Sequence, residues 1–234
     1  MKPSSETVPS HGPDPTAGMK PTPWKTVVKS HHVLRLPVTG WGMFPDHVET
    51  DSLDLRQLAA SEVDVFELYE LFAAGTDGVE EVFEYVPQEP YDTVNDASER
   101  IEKAESRWAD GEQAQYGVYA DGELAGYAGL FPEWERRSAR IGFILGREFW
   151  GNGYAGEIAT ALTEVAFDRL DLELVTIGYE EGNDRSERAV EKFVDRVGGQ
   201  YDGKLRNWTP LGDRVADHHR YSVSREEFEG ARGD

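Results

Sequence analysis

A glycine-rich stretch between a strand-like run and a helix-like run constrains the fold of this chain more than any other feature. Residues 151–156 read GNGYAG, after the apolar run 139–146 and before a helical pattern that starts near Ile158. Glycines at this spacing allow the backbone to turn tightly or to approach a ligand closely. The stretch therefore predicts a strand–loop–helix unit whose loop binds a phosphate group.

The same spacing, G-x-G-x-x-G, is the fingerprint of dinucleotide-binding folds, and the surrounding residues argue against that alternative. In those folds the strand runs almost directly into the first glycine, and the motif opens the sheet. Here residues 147–150 separate the apolar run from Gly151, and antiparallel hairpin signals precede it. The acidic residues about twenty positions further on, Asp171 and Glu173, lie in a charged loop. A loop whose backbone N–H groups point at a pyrophosphate, ahead of the positive end of a helix, fits better.

The remaining patterns place that unit inside a larger sheet. Asp121-Gly122 joins two strand-like runs, which is a strong signal for a tight antiparallel hairpin. Strands are predicted at residues 52–58, 115–120, 123–131, 139–146, 173–181, 200–205 and 219–223, and helices at 62–74, 94–108, 158–170 and 183–197. The first helix is expected to bury Val65, Phe66, Tyr69 and Phe72. The order predicts an α+β fold with one strand–helix–strand crossover.

Charge excludes several classes of function. The chain has 45 acidic and 24 basic residues, a net charge of -21, and only 7 lysines. Such a surface repels phosphate backbones and anionic lipid, so binding to nucleic acid or to a membrane surface is not expected. Acidic excess with few lysines suits a salt-rich cytosol, which indicates a halophile. The chain has no cysteine, so it has no disulfide, thiolate ligand or sulfur nucleophile. No apolar run approaches the length of a membrane span. We therefore expect a cytoplasmic protein.

Composition also divides the chain into segments. Residues 1–24 are rich in Pro, Ser, Thr and Gly and are predicted to be a flexible tail. Residues 25–48 are predicted to form an N-terminal extension, 49–224 the domain itself, and 225–234 a C-terminal tail. The pair His31-His32 does not predict a metal site, because adjacent residues on a strand point to opposite faces.

The residues around the glycines resemble those of a known family. WGNGYA, residues 150–155, is similar to the pyrophosphate loop of the GNAT superfamily of N-acetyltransferases, Arg/Gln-x-x-Gly-x-Gly/Ala, with Gly153 and Ala155 in the small positions. Trp150 stands where the superfamily pattern has Arg or Gln. The motif Trp-Gly-x-Gly-Tyr-Ala nevertheless resembles that of one branch, the ribosomal-protein N-terminal acetyltransferase-like group. The landmarks DSLDLRQL, ARIGFILGREFWGNGYAGE and NDRSERAVEK follow in that branch's order. The resemblance covers residues 49–224 and implies the GNAT fold, a mixed, mostly antiparallel sheet flanked by helices.

The resemblance also implies acetyl-CoA as co-substrate and a set of residues that bind it. The strand before the glycines would pair its backbone with the pantetheine arm, and a main-chain N–H near Ile144 would stabilise the oxyanion. The residues implied are Phe143, Ile144 and Leu145 for pantetheine, Trp150, Gly151, Asn152, Gly153, Tyr154 and Ala155 for the pyrophosphate, and Asn183 as a further cofactor contact. Lys192 could reach the 3′-phosphate or be a solvated lysine.

The resemblance implies fewer catalytic residues than acetyl-CoA-binding residues. Many members of the family carry a tyrosine as proton donor seven residues after the asparagine, where this chain has Val190. The similar branch has a serine instead, which Ser186 matches, but Asn183 and Ser186 are also typical helix caps. The acidic residues Glu133, Glu135, Glu157 and Glu180 lie near the expected site in sequence, and none of them is assigned as the general base.

The predicted function follows from these residues. An amine would attack the thioester directly in a ternary complex, with a base taking its proton and an acid supplying one to the thiolate. The expected acceptor is a primary amine, on a small molecule or at a protein N-terminus. The alternative is a non-catalytic module that binds acyl-CoA, because the tyrosine and an assigned base are missing. No metal is expected, and the chain could form a homodimer.

Overall fold

The computed structural model describes residues 42–233, which form a sheet with helices on both of its faces. The strands are β1 (His47–Glu49), β2 (Leu53–Gln57), β3 (Ala114–Ala120), β4 (Glu123–Glu133), β5 (Ser138–Leu145), β6 (Leu174–Glu180), β7 (Gln200–Leu211) and β8 (Arg214–Ser224). The helices are α1 (Val65–Phe72), α2 (Val79–Phe83), α3 (Val94–Ala109), α4 (Tyr154–Glu164), α5 (Asp184–Val197) and α6 (Arg225–Gly233). The predictions for residues 1–41, including His31 and His32, lie outside the described residues.

Sheet topology confirms the predicted fold class. The eight strands lie in the order β1-β2-β3-β4-β5-β6-β8-β7, and each neighbouring pair is antiparallel except β5 and β6. Helix α4 makes the crossover between these two parallel strands, as a parallel connection requires. The fold is therefore the mixed, mostly antiparallel α+β arrangement with flanking helices that the sequence predicts.

Alternation along the strands creates two hydrophobic cores, one on each face of the sheet. On β6, Val175, Ile177 and Tyr179 point into the core covered by α4, α5 and α6. On β5, Ile144 points to the opposite face, into the core covered by α1, α2 and α3. Because side chains alternate with a period of two, Gly178 and Glu180 on β6 share that second face.

The turn between β3 and β4 has the geometry that its sequence predicts. Asp121 and Gly122 have φ angles of 51° and 85°. Positive φ at both central residues is the requirement of the type I′ hairpin turn, which explains why the pair Asp-Gly occurs here.

The C-terminal segment differs from its prediction as a tail. Residues Arg225–Gly233 form α6, and its Phe228 is buried against Phe167 with ring centroids 5.6 Å apart. Ser224 and Glu227 form a capping box: the Ser224 N–H donates to Glu227 Oε2 at 2.7 Å, and the Glu227 N–H donates to Ser224 Oγ at 3.3 Å. The spacing Ser-x-x-Glu was the available signal for a helix start.

Three other features also differ from the sequence-based predictions. Strand β1 pairs with β2 inside what was predicted as the N-terminal extension, and its Val48 is fully buried. Helix α1 buries Leu68 and Phe72, whereas Phe66 is 59% exposed. Two residues correspond to about 200° on a helix, so Phe66 and Leu68 cannot share a face. Helix α2 was not predicted, since five residues carry too little periodicity to be recognised.

Candidate active site

The two parallel strands diverge, and this divergence opens a cleft in the sheet. β5 pairs with β6 only where Ser138–Arg140 face Leu174–Thr176. Beyond Arg140, β5 continues to Leu145 against β4, and β6 continues to Glu180 against β8. The edges of β5 and β6 that face each other across the cleft therefore have free backbone groups.

A cavity of about 1150 Å³ lies at this opening and brings together ten of the eleven predicted site residues. The ten that line it are Phe143, Ile144, Leu145, Trp150, Gly151, Gly153, Tyr154, Ala155, Asn183 and Ser186. Asn152 is the exception: it does not line the cavity, and its side-chain Nδ2 donates to the Phe149 carbonyl at 3.1 Å. The residues that the resemblance implies, Asn152 excepted, therefore lie on one continuous surface.

The glycine loop, residues 150–155, presents backbone N–H groups to that cavity. Gly151 and Gly153 have φ angles of 83° and 87°, a conformation that side chains other than glycine rarely adopt. The N–H groups of residues 151–155 donate to no acceptor within the described part of the chain. Gly153 is also the N-cap of α4, so the positive end of that helix faces the same space. The loop can bind an anion without a basic side chain.

Trp150 holds the loop against the end of β5. Its indole Nε1 donates to the Leu145 carbonyl at 3.0 Å, and the Arg185 guanidinium lies 4.3 Å from the ring centroid. Arg185 also pairs with Glu81 of α2 at 3.1 Å. Trp150 therefore has a positioning role, which does not require the Arg or Gln of the wider superfamily pattern.

The first turn of α5 separates the roles of Asn183 and Ser186. Asn183 is the N-cap, and its Oδ1 accepts from the Ser186 N–H at 3.1 Å. The Ser186 hydroxyl lines the cavity and makes no hydrogen bond to the residues that the structure describes. Asn183 therefore caps the helix, while its Nδ2 and the Ser186 hydroxyl are available to a ligand. Val190 is buried in the core and carries no polar group.

Sequence reasoning missed most of a row of cations along α5. The basic row consists of Arg185, Arg188, Lys192 and Arg196, which all line the cavity. Their spacing of three and four residues puts them on one face of the helix. Arg196 donates to the Gly156 carbonyl at 3.1 Å, whereas Arg188 and Lys192 have no ion pair among residues 42–233. Only Lys192 had been singled out, although the spacing was readable.

Two of the four acidic residues considered as bases are occupied elsewhere. Glu133 pairs with Arg136 at 2.8 Å on the surface. Glu157 accepts from the Ser52 N–H at 2.7 Å and from the Thr50 hydroxyl, so it ties the loop after β1 to α4. Glu135 is exposed in the loop after β4.

Glu180 has a different environment, because it ends β6 beside the cleft. It is half-buried, and its Oε1 accepts from the Thr209 hydroxyl at 2.8 Å and lies 3.2 Å from His218 Nδ1. Sequence patterns did not identify His218, since nothing in its neighbourhood along the chain marks it.

Tyr85, beyond α2, is a further polar residue that lines the cavity. Burial and the nearby Glu84 raise the pKa of Tyr85, so its phenol stays protonated at neutral pH.

No group of three His, Asp or Glu side chains in residues 42–233 is arranged to hold a metal ion. In the same range, no helix combines the length and the apolar character that a membrane span needs.

Comparisons with known proteins agree with this geometry. Residues 52–193 match the family model described as an acetyltransferase (GNAT) domain. The uncharacterized N-acetyltransferase p20 of Bacillus licheniformis is 26% identical over 77% of this chain and 97% of its own length. YdaF of Bacillus subtilis, provisionally named a ribosomal N-acetyltransferase, is 32% identical over 53% of this chain and 66% of its own length.

A solved structure from Salmonella typhimurium has the same fold. It is an acetyltransferase that modifies the N-terminal serine of the ribosomal protein L7/L12, and it superposes with a TM-score of 0.64 at 19% identity. The alignment covers 74% of this chain and 95% of that one. At this identity the likeness concerns the fold alone.

Proposed function

Because the chain belongs to the GNAT acetyltransferase family and is an acetyltransferase, we propose that it transfers acetyl from acetyl-CoA to the α-amino group of a protein N-terminus. The cavity between β5, the glycine loop and α5 is the proposed acetyl-CoA site. The observation that supports it is the row of free N–H groups at residues 151–155, at the start of α4 and beside a diverging strand pair.

Each part of acetyl-CoA has a chemical counterpart in the cavity. The free edge of β5 offers main-chain groups to the amides of pantetheine, as an added strand would find them. The glycine loop offers N–H groups to the diphosphate. Arg188 and Lys192, which have no ion pair among the described residues, supply positive charge for a phosphate in a chain of net charge -21.

The acyl transfer itself would use groups at the centre of the cleft. A main-chain N–H near Ile144 would stabilise the oxyanion, an effect of about 3 to 4 kcal/mol in comparable acyl transfers. The Ser186 hydroxyl would give a proton to the departing thiolate. Asn183 Nδ2 would hold the pantetheine arm.

Support for a protein N-terminus as acceptor comes from the relatives. YdaF carries a ribosomal name, and the Salmonella enzyme modifies the N-terminal serine of a ribosomal protein. Trp150, Gly151 and Tyr154 also resemble the motif of that branch.

Two matched glycine variants test the acetyl-CoA site. Gly153→Ala and Gly122→Ala change residues of nearly equal φ, 87° and 85°, and a Cβ at either one meets no protein atom within 4 Å. Both variants therefore place alanine at a similarly unfavourable φ, but only Gly153 lines the cavity. The Cβ of Gly153→Ala should keep the diphosphate from its closest approach to the loop N–H groups and so weaken a charge-assisted hydrogen bond, which should reduce CoA affinity about tenfold or more, measured by calorimetry. Equal affinities in the two variants would contradict the site.

The acceptor is tested by turnover. Purified protein with acetyl-CoA should release free CoA when given peptides with a free N-terminus, and not when the same peptides are N-terminally blocked. Preference for small amines, or for lysine side chains in blocked peptides, would contradict the proposed acceptor while leaving the acetyl-CoA site intact.

A further inference from the structure

The face of the sheet opposite α4 and α5 carries an ordered pair of side chains beside the cleft, His218 and Glu180. The two residues are direct partners in the ladder between β6 and β8, so their side chains project to the same face. Their side chains are 15% and 16% exposed, so they are shielded but reachable. Resting on the proposed function, we propose that His218 is the general base of the acetyl transfer and that Glu180 positions it.

The hydrogen bonds determine which nitrogen of His218 is available. Glu180 Oε1 lies 3.2 Å from Nδ1, and an ionised carboxylate can only accept. Nδ1 must therefore carry the proton, which leaves a lone pair on Nε2. Nε2 has no hydrogen-bond partner within the described residues. Thr209 fixes Glu180 in turn by donating its hydroxyl to the same oxygen at 2.8 Å.

Two glycines locate Nε2 relative to the cleft. A Cβ on Gly178 of β6 would lie 2.5 Å from His218 Nε2, so the ring extends from β8 across β6 towards the opening. Arg140 of β5 pairs with Thr176 of β6, and Gly142 and Gly178 each lie two residues further along their strands. Gly142 and Gly178 therefore face each other across the opening. Because these two positions carry no side chain, the His218 ring can lie over β6 and the Arg140 guanidinium can lie beside Gly142, one on each side of the opening.

Acetyl-CoA and the acceptor amine would therefore approach each other from opposite faces of the sheet. The glycine loop and α5 lie on the face that Ile177 and Tyr179 share, whereas His218 lies on the other face. An amine that reaches the thioester through the gap between Gly142 and Gly178 passes the imidazole.

Arg140 lies on the same face as His218, on the other side of the gap. Its guanidinium stacks 4.1 Å from the Phe131 ring centroid, and its NH1 would be 3.4 Å from a Cβ on Gly142. Arg140 is exposed at its surface, but partial desolvation of its guanidinium lowers its pKa, and the charges of Glu133 and Glu180 act in the opposite direction. A nearby cation disfavours the ammonium form of the acceptor, so the neutral amine that the reaction needs is favoured.

The amine nitrogen forms a bond to the thioester carbon while its proton passes to His218 Nε2. The carbon–sulfur bond breaks, its electron pair stays on sulfur, and the thiolate takes a proton from the Ser186 hydroxyl. His218 then returns its proton to solvent, from which Ser186 recovers its own.

His218→Gln tests the base, with His219→Gln as the matched control. His219 is the adjacent histidine but lies on the other face, stacked on Tyr179 with centroids 4.9 Å apart. Removal of a general base should lower kcat about 100-fold, with CoA affinity within about twofold of the unsubstituted protein. Exogenous imidazole should restore part of the activity of His218→Ala. A kcat within about twofold in His218→Gln, or an equal loss in His219→Gln, would overturn the proposal.

Two further measurements test how Glu180 and Thr209 orient the His218 ring. Thr209→Val removes the hydroxyl that holds Glu180 and leaves the imidazole in place, so it should lower kcat several-fold without changing the KM for acetyl-CoA. The ¹⁵N chemical shifts of the His218 ring should show the Nδ1–H tautomer at neutral pH, whether or not an acceptor has been found. An Nε2–H tautomer would overturn the role of His218 alone, whereas failure to bind CoA would overturn the proposed function.

Discussion

The last residue of α4 gives a quantitative prediction for stability against pH. Glu164 is 5% exposed, and its carboxylate lies 3.2 Å from Arg232 of α6. Burial raises the pKa of Glu164 to about 7 from an ordinary value of 4.5, although Arg232 acts to lower it and Asp168 adds to the increase. The folded state therefore holds a proton that the unfolded state has already released.

The direction and size of the effect follow from proton linkage. Below pH 4.5 the group is protonated in both states and contributes nothing to the free energy of unfolding. Between pH 4.5 and 7 the unfolded chain loses the proton first, so stability falls as the pH rises. Each pKa unit corresponds to about 1.4 kcal/mol, so the full loss above pH 7 is roughly 3 kcal/mol.

Glu164→Gln removes this titration and keeps an oxygen for Arg232. We expect the stability of the variant to rise relative to the unsubstituted protein by roughly 3 kcal/mol between pH 4.5 and 8. Urea unfolding followed by tryptophan fluorescence at fixed ionic strength measures that difference. Asp168→Asn is the control, because it removes a half-exposed carboxylate 3.3 Å from the same guanidinium. A difference between Glu164→Gln and the unsubstituted protein that stays constant over this pH range would refute the reasoning.

Three other substitutions have clear expected outcomes. Ser186→Ala should lower kcat at least tenfold with an unchanged melting temperature, because the hydroxyl neither caps α5 nor bonds to a described residue; equal loss of stability would show a structural role. Asn183→Ala should cost about 1 kcal/mol of stability through the lost cap and also weaken CoA binding, which denaturation and calorimetry separate. Phe228→Ala should cost about 3 to 5 kcal/mol in urea unfolding, since α6 packs into the core; a loss below 1 kcal/mol would mean that the helix is dispensable.

Local sequence patterns were sufficient to predict structure where a single stretch of chain determines both its backbone conformation and its chemical groups. The glycine loop combines positive φ angles with free N–H groups at a helix start, and glycine spacing reports both. The turn at Asp121 and Gly122 is another case, because only certain residues tolerate its backbone. Helix α6 could have been found in the same way from Ser224 and Glu227.

Residues that meet only through strand pairing could not be read from the sequence. Glu180 and His218 are 38 residues apart along the chain, and only the register of β6 against β8 brings them together. A two-residue irregularity in β7 adds to the difficulty, because Leu205 and Thr209 face His218 and Ala216 across it. No spacing rule predicts that Thr209 would reach Glu180.

The basic row on α5 implies an unusual response of ligand capture to salt. The protein as a whole carries a charge of -21 and repels anionic CoA at long range, whereas in the proposed site Arg188 and Lys192 would attract it at short range. At about 1 M salt the screening length is about 3 Å, so distant repulsion is removed before close contacts are lost. Added salt should then speed the arrival of CoA more than it speeds its escape, the reverse of the behaviour of a cationic protein.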